Sequence, residues 1–180
     1  MTMRTVIRPA ADDDARLLAE LRYEFRSAIT PPQESASEFV TRCARWMAER
    51  LRVRSDVRND GHEQRDEDGG GPTHWWAWLA LHDGVPCGTV WLHRFDKLPN
   101  PVAERESHGY ITSLFVKPEA RGAGAGTALL RTALSVCETE RFDSVILWPT
   151  PRSRSLYQRH GFAPRDEVLV RVLKEPARAR

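Results

Sequence analysis

Apolar residues recur along this chain at two spacings, every second residue or every third to fourth, and the switches between them mark its elements. Residues 3–8, Met-Arg-Thr-Val-Ile-Arg, read as a first strand that Pro9 stops. Asp12–Asp14 then supply caps and acids for a helix to about Arg26, with Leu17, Leu18, Leu21 and Phe25 on one face. Pro31 and Pro32 break the chain, and a second helix is predicted over Ser35–Val53, with Phe39, Val40, Cys43, Trp46, Met47 and Leu51 inward. Periodicity then stops. Arg54–Thr73 holds Asn59-Asp-Gly, alternating charges and three successive glycines, so it buries little apolar surface and reads as a mobile surface loop.

Period-two alternation returns at Trp75–His82, and Asp83-Gly84 signals a hairpin into Val85–Phe95. A polar loop over 96–107 leads to a long strand ending at Val116. From Thr127 to about Arg141 the helical spacing is restored by Leu129, Leu130, Ala133, Leu134, Val136 and Cys137. A short apolar strand at Asp143–Trp148, a short helix over 151–160, a closing strand at Asp166–Leu173 and a polar tail complete the order βααβββαβαβ. Without an internal repeat, this order predicts one α+β layer domain over residues 1–180.

The candidate chemistry lies between the long strand and the helix after it: Val116-Lys-Pro-Glu-Ala-Arg121-Gly-Ala-Gly124-Ala-Gly126-Thr127. Gly122, Gly124 and Gly126 permit positive φ and close approach of the backbone to a ligand. Successive N–H groups at such a turn, with the helix N-terminus behind them, form a cradle for phosphate or pyrophosphate. The loop lacks the Lys of a Walker motif, and neither glycine pair places a third Gly where the dinucleotide fingerprint needs one. It fits [Gln/Arg]-x-x-Gly-x-[Gly/Ala] through Arg121, Gly124 and Gly126. Downstream, Leu156-Tyr157-x-x-x-Gly161-Phe162 starts within the short helix and runs past its end.

With these two segments in this order the chain resembles the GNAT superfamily of acyl-CoA-dependent N-acyltransferases, over roughly residues 3–174. The resemblance implies a three-layer fold: a mixed, mostly antiparallel sheet, splayed between the strands at 109–116 and 143–149 and flanked by helices. It implies acetyl-CoA as co-substrate. The pyrophosphate would lie on Arg121, Gly122, Ala123, Gly124, Ala125, Gly126 and Thr127, and the pantetheine arm along Leu114, Phe115 and Val116. Thr150 and Ser153, where relatives often carry Asn and Ala, would meet the pantetheine amides. Tyr157 would be the general acid toward the departing sulfur, its phenol (about 10) and a thiol (about 8.5) being close enough in pKa to share a proton. Where many relatives place a catalytic Glu this chain has Tyr110, so Glu106 and His108 are the candidate bases, acting directly or through water. The acceptor pocket is expected from the first two helices and the 96–108 loop, with Arg22, Tyr23, Phe25 and Trp46 in it.

Composition narrows the partners. The 180 residues carry a formal net charge of +2 with acids and bases interleaved, which points away from nucleic acid. Cys43, Cys87 and Cys137 show neither pairing nor metal-ligand spacing, which suits a reducing cytoplasm. The six histidines include no His-x-x-x-His, so no metal is expected, and no run approaches membrane-spanning length. The implied activity is transfer of an acetyl group from acetyl-CoA to a primary amine of a small molecule or peptide, by direct attack in a ternary complex. A non-catalytic acyl-CoA sensor is the alternative, and a nucleotide-phosphate module lacks the Lys or ribose-binding acid it needs. By family habit the protein is a monomer or a homodimer.

Overall fold

The computed structural model describes residues 5–59, 75–98, 101, 106–166 and 168–173, with the backbone alone for 53–59. The chain divides into two compact units, 1–147 and 148–180. The first holds β1 (Thr5–Pro9), α1 (Ala15–Ser27), α2 (Ala36–Asn59), β2 (Trp75–His82), β3 (Val85–Asp96), β4 (Ser107–Val116), α3 (Ala125–Thr139) and β5 (Ser144–Ile146); the second holds α4 (Arg154–Gln158).

Side-chain hydrogen bonds set the helix starts. Asp14 accepts the Ala11 N–H at 2.9 Å and both Nη groups of Arg8 at 2.7 and 2.8 Å, which ties β1 to the entry of α1. Ser35 and Glu38 form a reciprocal capping box before α2: the Ser35 N–H donates to Glu38 Oε2 at 3.1 Å, and the Glu38 N–H to Ser35 Oγ at 3.3 Å. At the far end of α3, Arg141 turns into the left-handed region, and the Phe142 N–H donates back to the Cys137 carbonyl at 2.9 Å.

The sheet runs β1-β2-β3-β4-β5, antiparallel except for β4 against β5. Alternation gives it two apolar faces. Ala77, Leu79, Trp91 and Phe115 join Leu18, Leu21, Val40, Met47 and Leu51 of α1 and α2 in one core. Trp76, Trp78, Val90 and Leu92 point the other way, the side on which α3 packs along β1 to β4. The expected layers and mixed sheet are therefore present. The β4–β5 pairing spans only His108–Tyr110 against Ser144–Ile146, and β4 continues six residues further, to Val116, without that partner. This is the expected splay.

β4 also carries a bulge. Thr89 faces Phe115 while Trp91 faces Thr112, so β4 has an extra residue there, and Ser113 sits at φ 54°. The extra residue reverses the alternation, which is how Phe115 reaches the α1–α2 core.

Several boundaries differ from the sequence reading. β1 includes Pro9, tolerated because β1 is an edge strand. α2 runs on to Asn59, so the first six residues of the expected loop, 54–59, are helical; the remainder, 60–73, lies outside the described residues. α3 begins at Ala125, two residues before Thr127, because the turn closes at Gly124. α4 is confined to Arg154–Gln158. The predicted closing strand at Asp166–Leu173 does not form over its described residues: Val168–Leu173 have no strand pairing, and Leu169 is 94% exposed. Alternating β-formers make a strand only when another backbone takes up their hydrogen bonds.

Candidate active site

The glycine loop has the form expected of an anion cradle. After β4 a short 3₁₀ turn at Pro118–Ala120 leads to Gly122 (φ 87°) and Gly124 (φ 82°), and Gly124 is the N-cap of α3. A Cβ at Gly122 or Gly124 would meet nothing within 4 Å, so backbone conformation, not crowding, requires glycine there. The N–H groups of residues 122 to 127 have no acceptor among the described residues; the first that does is Ala128, donating to the Gly124 carbonyl at 3.0 Å. Six consecutive free donors at the start of a fifteen-residue helix fit a diphosphate in number and sign. Arg121 turns back instead: its Nε donates to the Val116 carbonyl at 2.9 Å and pins the loop to the strand end. One of the carbonyls expected to face pantetheine is thus engaged by the loop itself. Phe115 is buried and stacked on Phe25 at 5.3 Å, so only its backbone is available to a ligand. Leu114 is half-buried.

A cavity of about 670 Å³ opens on the α1–α2 side of the sheet. Arg22 and Trp46, both expected there, line it. Tyr23 and Phe25 do not: Tyr23 packs on Phe39 at 5.6 Å, and Phe25 belongs to the core around Phe115. The expected 96–108 loop contributes no described residue; the wall comes from the sheet, through Trp75, Trp91, Tyr110, Thr112 and Ser113. That Thr112 and Ser113 both face the cavity reflects the bulge. The sequence held a signal for the sheet wall, since Trp75 and Trp91 share one face of the β2–β3 hairpin once its register is known.

Glu106 and His108 are brought together. His108 Nε2 lies 3.6 Å from Glu106 Oε1 and has no hydrogen-bond partner among the described residues, while its Nδ1 meets Ser144 Oγ at 2.8 Å. Glu106 also pairs with Lys97. A backbone clasp holds the pair: the Ser107 N–H donates to Asp143 Oδ2 at 2.7 Å, and the Asp143 N–H to the Ser107 carbonyl at 2.8 Å. Neither residue lines the cavity, but His108 lies two residues before Tyr110, on the same face of β4.

In the second unit Thr150 and Ser153 bond each other. The Thr150 N–H donates to Ser153 Oγ at 3.0 Å, and the two hydroxyls are 2.9 Å apart. Tyr157 is buried, its ring edge-on to Phe162 at 5.7 Å. Burial pushes its phenol above the usual value, partly offset by the Ser153 hydroxyl. Such a phenol stays protonated at neutral pH. Among the described residues no cluster could hold a metal, and no helix is long and apolar enough to cross a membrane.

The acetyltransferase (GNAT) family profile matches residues 36–162. The chain belongs to the GNAT family. It is 35% identical over 89 residues to a mycothiol acetyltransferase of Frankia casuarinae, a stretch that is 47% of this chain and 26% of that protein. The chain thus spans about a quarter of the length of this curated relative. Two solved structures share the GNAT fold. A predicted acetyltransferase with acetyl-CoA from Clostridium acetobutylicum has a TM-score of 0.67 at 20% identity, covering 94% of this chain and 97% of that one. A GCN5-related N-acetyltransferase from Ralstonia eutropha has a TM-score of 0.62 at 23% identity, covering 94% and 99%. The GNAT match reaches from α2 through the glycine loop to Phe162, so it includes both segments that carried the resemblance.

Proposed function

We propose that this GNAT chain is an acetyl-CoA-dependent N-acetyltransferase that moves the acetyl group to a primary amine of a small molecule or peptide, by direct attack in a ternary complex. The observation that carries this reading is the run of unengaged N–H groups over Gly122–Thr127 behind the end of β4. These donors hold the pyrophosphate. The backbone of Leu114–Val116, which has no β5 partner, receives the extended arm. Thr150 and Ser153 serve the arm's amides, exchanging part of their mutual bonding for it.

Coenzyme A supplies an activated acyl carbon; position, charge and two proton transfers fall to the protein. The amine nitrogen forms a bond to the thioester carbon as the C–S bond breaks. The amine's surplus proton goes to His108, directly or through water, with Glu106 stabilising the imidazolium that results. Tyr157 donates its proton to the departing sulfur, and its buried phenol is in the protonated form this needs.

Calorimetric titration with acetyl-CoA, followed by thiol release over a panel of amines, tests the reading. Micromolar binding with thiol release on an amine is the expected result. Binding without release on any amine favours the sensor, and no binding removes the cradle assignment.

A further inference from the structure

The cavity beside β4 is more specific than a general amine site, and three observations say what it takes. The first is Arg22. Its guanidinium is half-buried in the cavity wall, and its Nη1 donates to Ser113 Oγ at 2.6 Å. Six other arginines, Arg8, Arg16, Arg42, Arg50, Arg52 and Arg94, each pair with a carboxylate. Arg22 has no carboxylate partner among the described residues. Burial and the like charge of Arg26 both press it toward losing its proton; Cys43 and Tyr110, neither of them a carboxylate, act the other way and more weakly. A guanidinium has five donors in a planar fork, and a desolvated cation is costly until an anion meets it.

The second observation is aromatic. Trp46, Trp75 and Trp91 face the cavity with ring centroids 5.4, 6.0 and 6.2 Å apart. Trp46 remains 39% exposed, and Trp91, only 2% exposed, has an Nε1–H with no acceptor among the described residues. The third is charge. Among the described residues the cavity wall carries Arg22, Arg42 and Arg45 against Glu49; Arg42 pairs with Glu34 and Glu49 lies 3.9 Å from Arg50, so the charge left on the wall is positive, from Arg22 and Arg45. Such a wall repels a polycation.

The geometry points to an acceptor amine that carries both a flat ring and an oxyanion, carboxylate or phosphate: Arg22 binds the oxyanion and the Trp46–Trp75–Trp91 wall takes the ring. This deepens the acetyltransferase reading and rests on it. Because Arg22 meets the bulge residue Ser113, next to Leu114, the oxyanion is held beside the strand assigned to the acyl donor. The amine therefore lies only a few bonds from the oxyanion, as in an aromatic α-amino acid.

The test compares kcat/KM for acetylation of phenylalanine and tryptophan with phenethylamine and tryptamine, which lack the carboxylate. The phosphonate analogue of phenylalanine, 1-amino-2-phenylethylphosphonate, is the phosphorus-oxyanion arm and spermidine the polycation. The expected result is a preference of at least about tenfold for an oxyanion-bearing aromatic amine. In Arg22→Gln that preference falls toward one, mainly through KM, and Arg22→Lys restores part of it. Equal rates, a preference for spermidine, or an unchanged ratio in Arg22→Gln would overturn the proposal. Binding separates its failure from that of the activity. Quenching of tryptophan fluorescence by 3-phenylpropionate, but not by 3-phenylpropan-1-ol, and lost in Arg22→Gln, supports the anion site whether or not any amine is acetylated. Equal responses to the two probes count against it.

Discussion

Tyr157 is the residue we propose as the general acid. Burial holds its phenol above the ordinary value, so deprotonation moves to higher pH and the acid stays loaded across the neutral range. Tyr157→Phe keeps the ring contact with Phe162 and removes the hydroxyl, with its proton and its bond to Ser153. It should lower kcat at least about tenfold while leaving acetyl-CoA affinity nearly unchanged, as steady-state kinetics and calorimetry on the same preparation would show. Near-normal turnover would make Tyr157 a packing residue. The segment was legible because Leu156-Tyr157 lies in the short helix and Gly161-Phe162 follows it, and Gly161 does adopt φ 83°. The base was less legible. Tyr110 occupies the strand position where an acid was sought, and the Glu106–His108 pairing depends on how Asp143 of the β5 entry clasps Ser107. Arg22 was named as a pocket residue from its helix, but its missing counter-ion is a property of everything packed around it.

Among the elements, the β4–turn–α3 unit is the one whose form follows most closely from local sequence. Pro118 ends the strand, glycines supply the left-handed angles, and the apolar stripe of α3 fixes which way the helix packs. Gly124→Glu places a side chain and a negative charge at the mouth of the cradle, at a φ of 82° that L-residues resist. Acetyl-CoA binding should weaken at least about a hundredfold, from charge repulsion and the lost close approach. Circular dichroism should stay native, because the new Cβ meets no neighbour. Unaltered binding would remove the pyrophosphate assignment. Residues 168–173 show the opposite case. Val-Leu-Val-Arg-Val-Leu has the composition of a strand, yet it is unpaired and exposed, since strand formation depends on a partner that no local pattern supplies.

For the molecule as a whole, pH should act on stability through buried thiols. Cys137 is pushed up to about 12 from an ordinary 9 by burial in α3. The folded state keeps this proton after the unfolded chain has lost it. Stability is therefore complete below about pH 9 and falls as pH rises toward 12, by up to about 1.4 kcal/mol per pH unit. Cys43 and Cys87 are raised too and act in the same direction. Urea midpoints at successive pH values from about 8 to 11 should show this decline, and Cys137→Ala should flatten it. An undiminished slope in that variant would mean that the thiol is not the group responsible.

By itself the sequence determined most element types, the closing strand at 166–173 and the loop start at 54–59 excepted, and the glycine turn. These depend on residues near one another in the chain, where φ restriction, capping and periodicity act. Only the tertiary structure decided the cavity and its lining. Trp46, Trp75, Trp91 and Arg22 come from four elements, and the β4 bulge at Ser113 turns two successive residues toward the same space. Register and packing bring such residues together, and the desolvation that gives Arg22 its need for an anion exists only after they have met.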